Sequence, residues 1–167
     1  MATTLVSASV RTAIKWDYQN DLDIGDAVDK QNVVRSSSYT DGESANQLEV
    51  FFRKSYAPVA SATTSIDLSG SLTDAFGNAL VLTTKVIKVL QVKNTGTTLL
   101  TVGGNAAAIP FFGAVGDFWN LPGGATLTFD SPITGIVVTA ATGDILDVVN
   151  TSGSTAGAFD IIVGCTK

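Results

Sequence analysis

Turn chemistry recurs along most of this chain at intervals of about ten residues, and that rhythm leaves room for short strands and little else. Asp41-Gly42, Gly77-Asn78, Asn94-Thr95-Gly96, Gly103-Gly104-Asn105, Pro122-Gly123-Gly124, Thr142-Gly143-Asp144 and Ser152-Gly153-Ser154 supply residues that tolerate positive φ or favour tight turns. Between them lie runs rich in Val, Ile and Thr, whose branched side chains suit a pleated surface. Strands are expected over 32–39, 47–54, 63–68, 79–84, 86–93, 97–102, 125–129, 134–139, 145–149 and 158–163. The pattern predicts an all-β chain, an antiparallel β-sandwich of jelly-roll-like type.

The first residues have a different texture. Val6, Ala8, Val10, Thr12, Ile14 and Trp16 alternate with Ser7, Ser9, Arg11, Ala13 and Lys15, a period of two that predicts a strand over 6–16 with one apolar face. An acidic run follows, Asn20-Asp-Leu-Asp-Ile-Gly-Asp-Ala-Val-Asp29. Residues 24–32 offer the one tempting helix, with Asp26 as a cap, but Gly25, Val28 and its shortness predict a loop or a single turn. The expected organisation is an N-terminal extended arm with one strand over 1–37 and a β-sandwich domain over 38–167. A lone strand leaves its ladder groups unpaired, so the arm is expected to pair with a neighbouring chain or lie on a partner's surface, with Val10, Ile14 and Trp16 as contact residues.

Composition narrows function by exclusion. The 167 residues contain no His, which removes Ser-His-Asp and Cys-His catalysis and His-ligated metals. A formal net charge of −5 disfavours nucleic acid as a partner. The single Cys165 cannot form an internal disulfide, and without His it has no base to activate it. No apolar run reaches the ~18 residues of a membrane span, and the first ten residues carry no secretory pattern.

The remaining motifs favour bland readings. Counting an EF-hand from Asp21 puts Gly25 at position 5 and Asn32 at position 12, so the calcium pattern fails. The many Asp beside turns, such as Asp41, Asp117 and Asp144, suit backbone capping better than a catalytic carboxylate pair. Gly103-Gly104 and Gly123-Gly124 lead into no Lys-Ser or Lys-Thr, so they read as hairpin glycines. No cofactor or metal is expected.

The richest segment is Ile109-Pro-Phe-Phe-Gly-Ala-Val-Gly-Asp-Phe-Trp119. Phe111, Phe112, Phe118 and Trp119 crowd a Gly-rich connection, either plugging one end of the sandwich or forming a contact surface. Charged residues make up only 15% of the chain and hydrophobic ones 45%, so either Thr and Ser supply the polar surface or much apolar surface is covered by a partner.

Several blocks recur together in a known group: Ser65-Ile-Asp-Leu-Ser-Gly-Ser-Leu-Thr-Asp-Ala-Phe-Gly77, Val86-Ile-Lys-Val-Leu-Gln-Val-Lys-Asn-Thr95, Leu100-Thr-Val-Gly-Gly104, Leu121-Pro-Gly-Gly124, Gly135-Ile-Val-Val-Thr-Ala-Ala-Thr-Gly-Asp-Ile-Leu146 and Phe159-Asp-Ile-Ile-Val-Gly164, with Tyr39-Thr-Asp-Gly42 ahead of Gln47-Leu-Glu-Val50. Over 39–167 the chain resembles the small virion structural proteins of tailed bacteriophages, in which a β-sandwich or jelly roll decorates or cements the capsid. The resemblance implies a place on the outer capsid surface of the virion, the major capsid protein as partner, self-association with a homotrimer as the expected state, and no enzymatic activity. A tail or head-fibre module binding a receptor or glycan through Trp119 and Tyr56 is the alternative. A carbohydrate-active enzyme is a third, and needs a carboxylate pair in a cleft.

Overall fold

The computed structural model describes residues 5–20, 27–114 and 116–166, and among them there is no helix. The strands in chain order are β1 (Ala8–Asn20), β2 (Ala27–Asp41), β3 (Gln47–Leu48), β4 (Val50–Tyr56), β5 (Thr63–Asp67), β6 (Leu72–Thr73), β7 (Ala79–Leu80), β8 (Val86–Asn94), β9 (Leu100–Gly103), β10 (Phe118–Leu121), β11 (Thr126–Asp130), β12 (Ile136–Val137), β13 (Ile145–Asn150) and β14 (Phe159–Cys165). The protein is all-β, as its turn rhythm predicts.

Two antiparallel sheets form the sandwich. One has the order β10-β9-β13-β5; the other runs β11-β8-β14-β4, with the short β12 also on β8. Of the eight strands in these two orders, the second sheet takes the first, eighth, third and sixth in sequence, and the first sheet takes the second, seventh, fourth and fifth. The chain therefore crosses repeatedly between layers. Period-two alternation explains why: Phe159, Ile161, Val163 and Cys165 of β14 point into the core, as do Leu146 and Val148 of β13 and Leu100 and Val102 of β9. Tyr56 and Phe159, cross-strand neighbours, stack with ring centroids 5.1 Å apart.

A β-bulge changes what β8 faces. Gly164 pairs with Val89 but Cys165 pairs with Ile87, leaving Lys88 as the extra residue. Ile87 and Leu90 stay in the core, while Val89 turns outward and joins a second cluster with Tyr39 and Leu48. Lys88 is buried, and its ammonium donates to the Ser44 carbonyl at 2.6 Å. Burial holds its pKa below the ordinary Lys value.

The N-terminal expectation needs correction. The strand over 6–16 is not alone: β1 pairs antiparallel with β2 from Ala8↔Tyr39 to Asn20↔Ala27, so the ladder groups it turns toward β2 are paired within the chain. The stretch expected as loop or helical turn enters this ribbon from Ala27 onward, because a ladder with β1 outweighs weak local propensity. A boundary after residue 37 falls inside β2, which runs on to Asp41 and bridges in parallel to β3. Asp21, Asp23, Ile24, Gly25 and Asp26, the heart of the rejected calcium loop, lie outside the described residues.

Candidate interaction surfaces

The base of the β1–β2 ribbon is docked. Tyr39 is 1% exposed among Leu48 and Val89, with Leu5, Ala8, Val10 and Phe51 packed around them. Asp130, at the end of β11, accepts hydrogen bonds from both Ser37 Oγ, at 2.6 Å, and the Tyr39 hydroxyl. Burial first, then the hydrogen bond to Asp130 and its negative charge, raise the Tyr39 hydroxyl well above its ordinary value. Between the ribbon base and the outer face of the β8-bearing sheet lies a groove of about 380 Å³, lined among others by Val10, Phe51, Val89 and Ile162.

Beyond the base the ribbon stands away from the sandwich. Residues 11–17 and 28–36 are exposed throughout. Direct pairing puts Ile14 and Val33, Trp16 and Gln31, and Thr12 and Arg35 on one face. Ile14 is 61% exposed and Trp16 is 40% exposed. The indole N–H of Trp16 donates to Asp29 Oδ2 at 2.9 Å, which fixes the ring on that face. The opposite face carries the exposed Lys30–Asp17 ion pair at 3.1 Å.

Of the expected contact residues on the arm, Ile14 and Trp16 are therefore open, whereas Val10 is taken up by the ribbon's own docking. The aromatic segment also divides. Phe111 and Phe112 are half-buried against the core, and Phe111 packs edge-on to Phe129 at 5.0 Å between centroids. Phe118 and Trp119 are 57% and 55% exposed on β10, an outer strand of its sheet. Phe118 and Trp119 sit on a strand rather than in the irregular connection expected from the glycines. The loop folds back because Gly103 has φ of +107° and no side chain; a Cβ there would lie 2.6 Å from the Asp117 carbonyl oxygen. The result is a shallow cleft of about 460 Å³ lined by Phe111, Phe112, Gly116, Asp117, Phe118 and Trp119. Tyr56, the other residue considered for a glycan, stacks on Phe159 in the other sheet and does not share this cleft.

The acidic side chains serve local structure. Asp74 accepts from Phe76 N, Asn78 N and Asn78 Nδ2 across its turn. Asp117 Oδ2 accepts from Ala114 N, and Asp144 Oδ2 from Ser69 Oγ and Ala141 N. Among the described residues, no group of three or more Cys, Asp or Glu side chains converges to hold a metal ion. Cys165 is buried in the core, and burial pushes its thiol pKa up to about 12, with a small opposing pull from Lys85.

Sequence reasoning missed Val33, Arg35 and Asp130 as parts of these surfaces. Residues 32–39 show no period-two alternation that would single out Val33 and Arg35, with Val33 and Val34 adjacent and Ser36, Ser37 and Ser38 following. Nothing local marks Asp130, which acts across 91 residues. No family model matches the chain, and no curated protein matches it.

Proposed function

We propose that this chain is a structural binding module whose work is contact rather than chemistry. More particularly, we read it as an auxiliary capsid protein, of cement or decoration type, that binds and stabilises the assembled head shell of a tailed bacteriophage from its outer surface. The observation that carries this reading is the projecting β1–β2 ribbon. A two-stranded ribbon is marginal by itself in water, and this one leaves Ile14, Trp16 and Val33 open to solvent beyond a firmly docked base. Such a ribbon is built to be covered.

Two further features support it. The strand orders of the two sheets fit the jelly-roll reading, an architecture common in capsids. The block resemblance over 39–167 points the same way. The expected partners are the major capsid protein and further copies of this chain, as a homotrimer. The mechanism is mass action: a protein that binds only the assembled shell stabilises it by its binding free energy, multiplied over many copies.

The aromatic cleft favours a second reading, a tail or head-fibre module that stacks a glycan on Phe118 and Trp119. Densitometry of purified particles against the major capsid protein separates the two. Hundreds of copies per particle fit cement; a handful fit a fibre and refute the first reading.

A further inference from the structure

We infer that the exposed ribbon face of one copy seats on the aromatic cleft of the next, a head-to-tail contact between unlike surfaces of the same chain. This rests on the self-association proposed above and specifies which surfaces make it. The ribbon face offers Ile14, Val33 and the ring of Trp16 among Thr12, Gln31 and Asp29, with Arg35 at its docked end. The cleft offers Phe118 and Trp119 over Phe111 and Phe112, with the exposed carboxylate of Asp117 in its wall. Apolar surface thus faces apolar surface, and a guanidinium faces a carboxylate.

Within one chain the two surfaces leave each other uncovered. Among the described residues the cleft is lined by Phe111, Phe112, Gly116, Asp117, Phe118 and Trp119, none of them from the ribbon, and Ile14, Val33, Phe118 and Trp119 are all exposed. The ribbon docks against the sheet that contains β8, whereas β10 is an outer strand of the other sheet. Exposed aromatic residues on an outer strand are a hazard unless something covers them. A second copy carries a surface of matching character. Because ribbon and cleft are unlike, the contact is heterologous, the kind that yields a ring such as a trimer where its rotation closes and a filament where it does not.

The size of the contact sets its strength. Two strands span about 10 Å, and the stretch from Thr12 to Asn20 rises about 26 Å. One ribbon face on one cleft then buries roughly 500 Å² over both partners, well inside the weak, transient class. Free copies should therefore dissociate readily, and copies held side by side on a lattice should not, because the second contact becomes intramolecular.

Sedimentation velocity from about 10 µM to about 1 mM tests this. The wild-type mass should rise with concentration. Ile14→Ser with Val33→Ser should weaken association at least about tenfold, and so should Trp119→Ser, with thermal unfolding unchanged because all three positions are exposed. Mixed in equal amounts, the ribbon variant and the cleft variant should form a dimer that grows no further, since each such pair keeps one intact ribbon opposite one intact cleft. Arg35→Glu should weaken association about two- to fivefold at low salt only. As a measure independent of affinity, Val33→Cys chains mixed with Phe118→Cys chains should form the mixed disulfide in preference to either like pair. A single 17.2 kDa species at every concentration overturns the self-association reading itself. Association that survives both sets of variants, or that mixing fails to restore, overturns only the ribbon-to-cleft contact. Loss of particle binding by Trp119→Ser with self-association intact assigns the cleft to the shell and overturns it as well.

Discussion

Replacing Asp130 by Ala should free the ribbon while leaving the sandwich folded. The carboxylate takes two hydrogen bonds from β2, one from Ser37 at 2.6 Å in an exposed setting and one from the Tyr39 hydroxyl, whose residue is 1% exposed. The exposed bond contributes little, about 0.5 kcal/mol. Losing a charged acceptor for a buried hydroxyl costs about 1.5–3 kcal/mol. Together the change should cost about 2–3.5 kcal/mol, or a rise of roughly 30- to 370-fold in the undocked population. An undocked ribbon is a lone hairpin and melts, so its ladder amides report undocking directly. Native-state hydrogen exchange should show β1 and β2 amides exchanging faster by that factor, with Leu90, Val92 and Val163 unchanged. Tyr39→Phe should weaken docking by about 1–2 kcal/mol, and a double-mutant cycle with Asp130→Ala should return a coupling of at least about 1 kcal/mol. If core and ribbon amides lose protection equally, the ribbon is part of the sandwich's cooperative unit and the reasoning fails. A coupling under about 0.5 kcal/mol removes Asp130 as the anchor.

Alkali should act at two places. The folded Tyr39 hydroxyl titrates above its ordinary value of 10.0, so the native state prefers the protonated form; docking should be complete below about pH 10 and weaken above it, which absorbance of tyrosinate in wild type against Tyr39→Phe will show. The Cys165 thiol, raised from 9.0 to about 12, likewise contributes full stability below pH 9 and should lose on the order of 4 kcal/mol as pH climbs to 12; Cys165→Ala should abolish that slope in denaturant titrations, and the native thiol should resist a thiol reagent at pH 8. Asn94, fully buried, donates to the Thr98 and Leu121 carbonyls at 2.7 and 2.9 Å and accepts from Gly96 N, so Asn94→Ala should destabilise by about 2–4 kcal/mol in urea unfolding. On the proposed capsid role, release from particles should follow urea far more than salt, since the exposed ribbon face centres on Ile14, Trp16 and Val33; release by about 0.5 M salt alone would refute an apolar clamp.

Strand positions were legible wherever a residue's partner did not matter. The alternation of β14 and the turn at Asn94-Thr95-Gly96 follow from local chemistry, and both stand where the sequence places them. β10 was not legible, because glycines at 113 and 116 disguise a strand only four residues long. β6, at two residues, is shorter than the alternation needed to detect it. The ribbon was half legible. The first segment alternates, but β2 carries no such pattern, and that the two pair with each other depends on the register from Asn20↔Ala27 to Ala8↔Tyr39, which acidic residues do not announce. The bulge at Lys88 is invisible locally, since it exists only relative to the register of β14. The cleft failed for the same reason: its aromatics were plain, but their division into half-buried and exposed pairs depends on the close approach that Gly103 permits.

The position of β14 has a consequence for how the molecule comes into being. It is the last strand of the sandwich, yet it lies between β4 and β8 and pairs with both. Until residues 159–165 are available, those two strands have no common neighbour and the sheet cannot close. Folding must then wait for synthesis to pass that point, and its slow step joins strands separated by nearly the whole sandwich. In the interval, β4 and β8 present unpaired edges in a crowded setting, the circumstance in which aggregation competes with folding. A nascent chain of this design completes that sheet only with its closing strand.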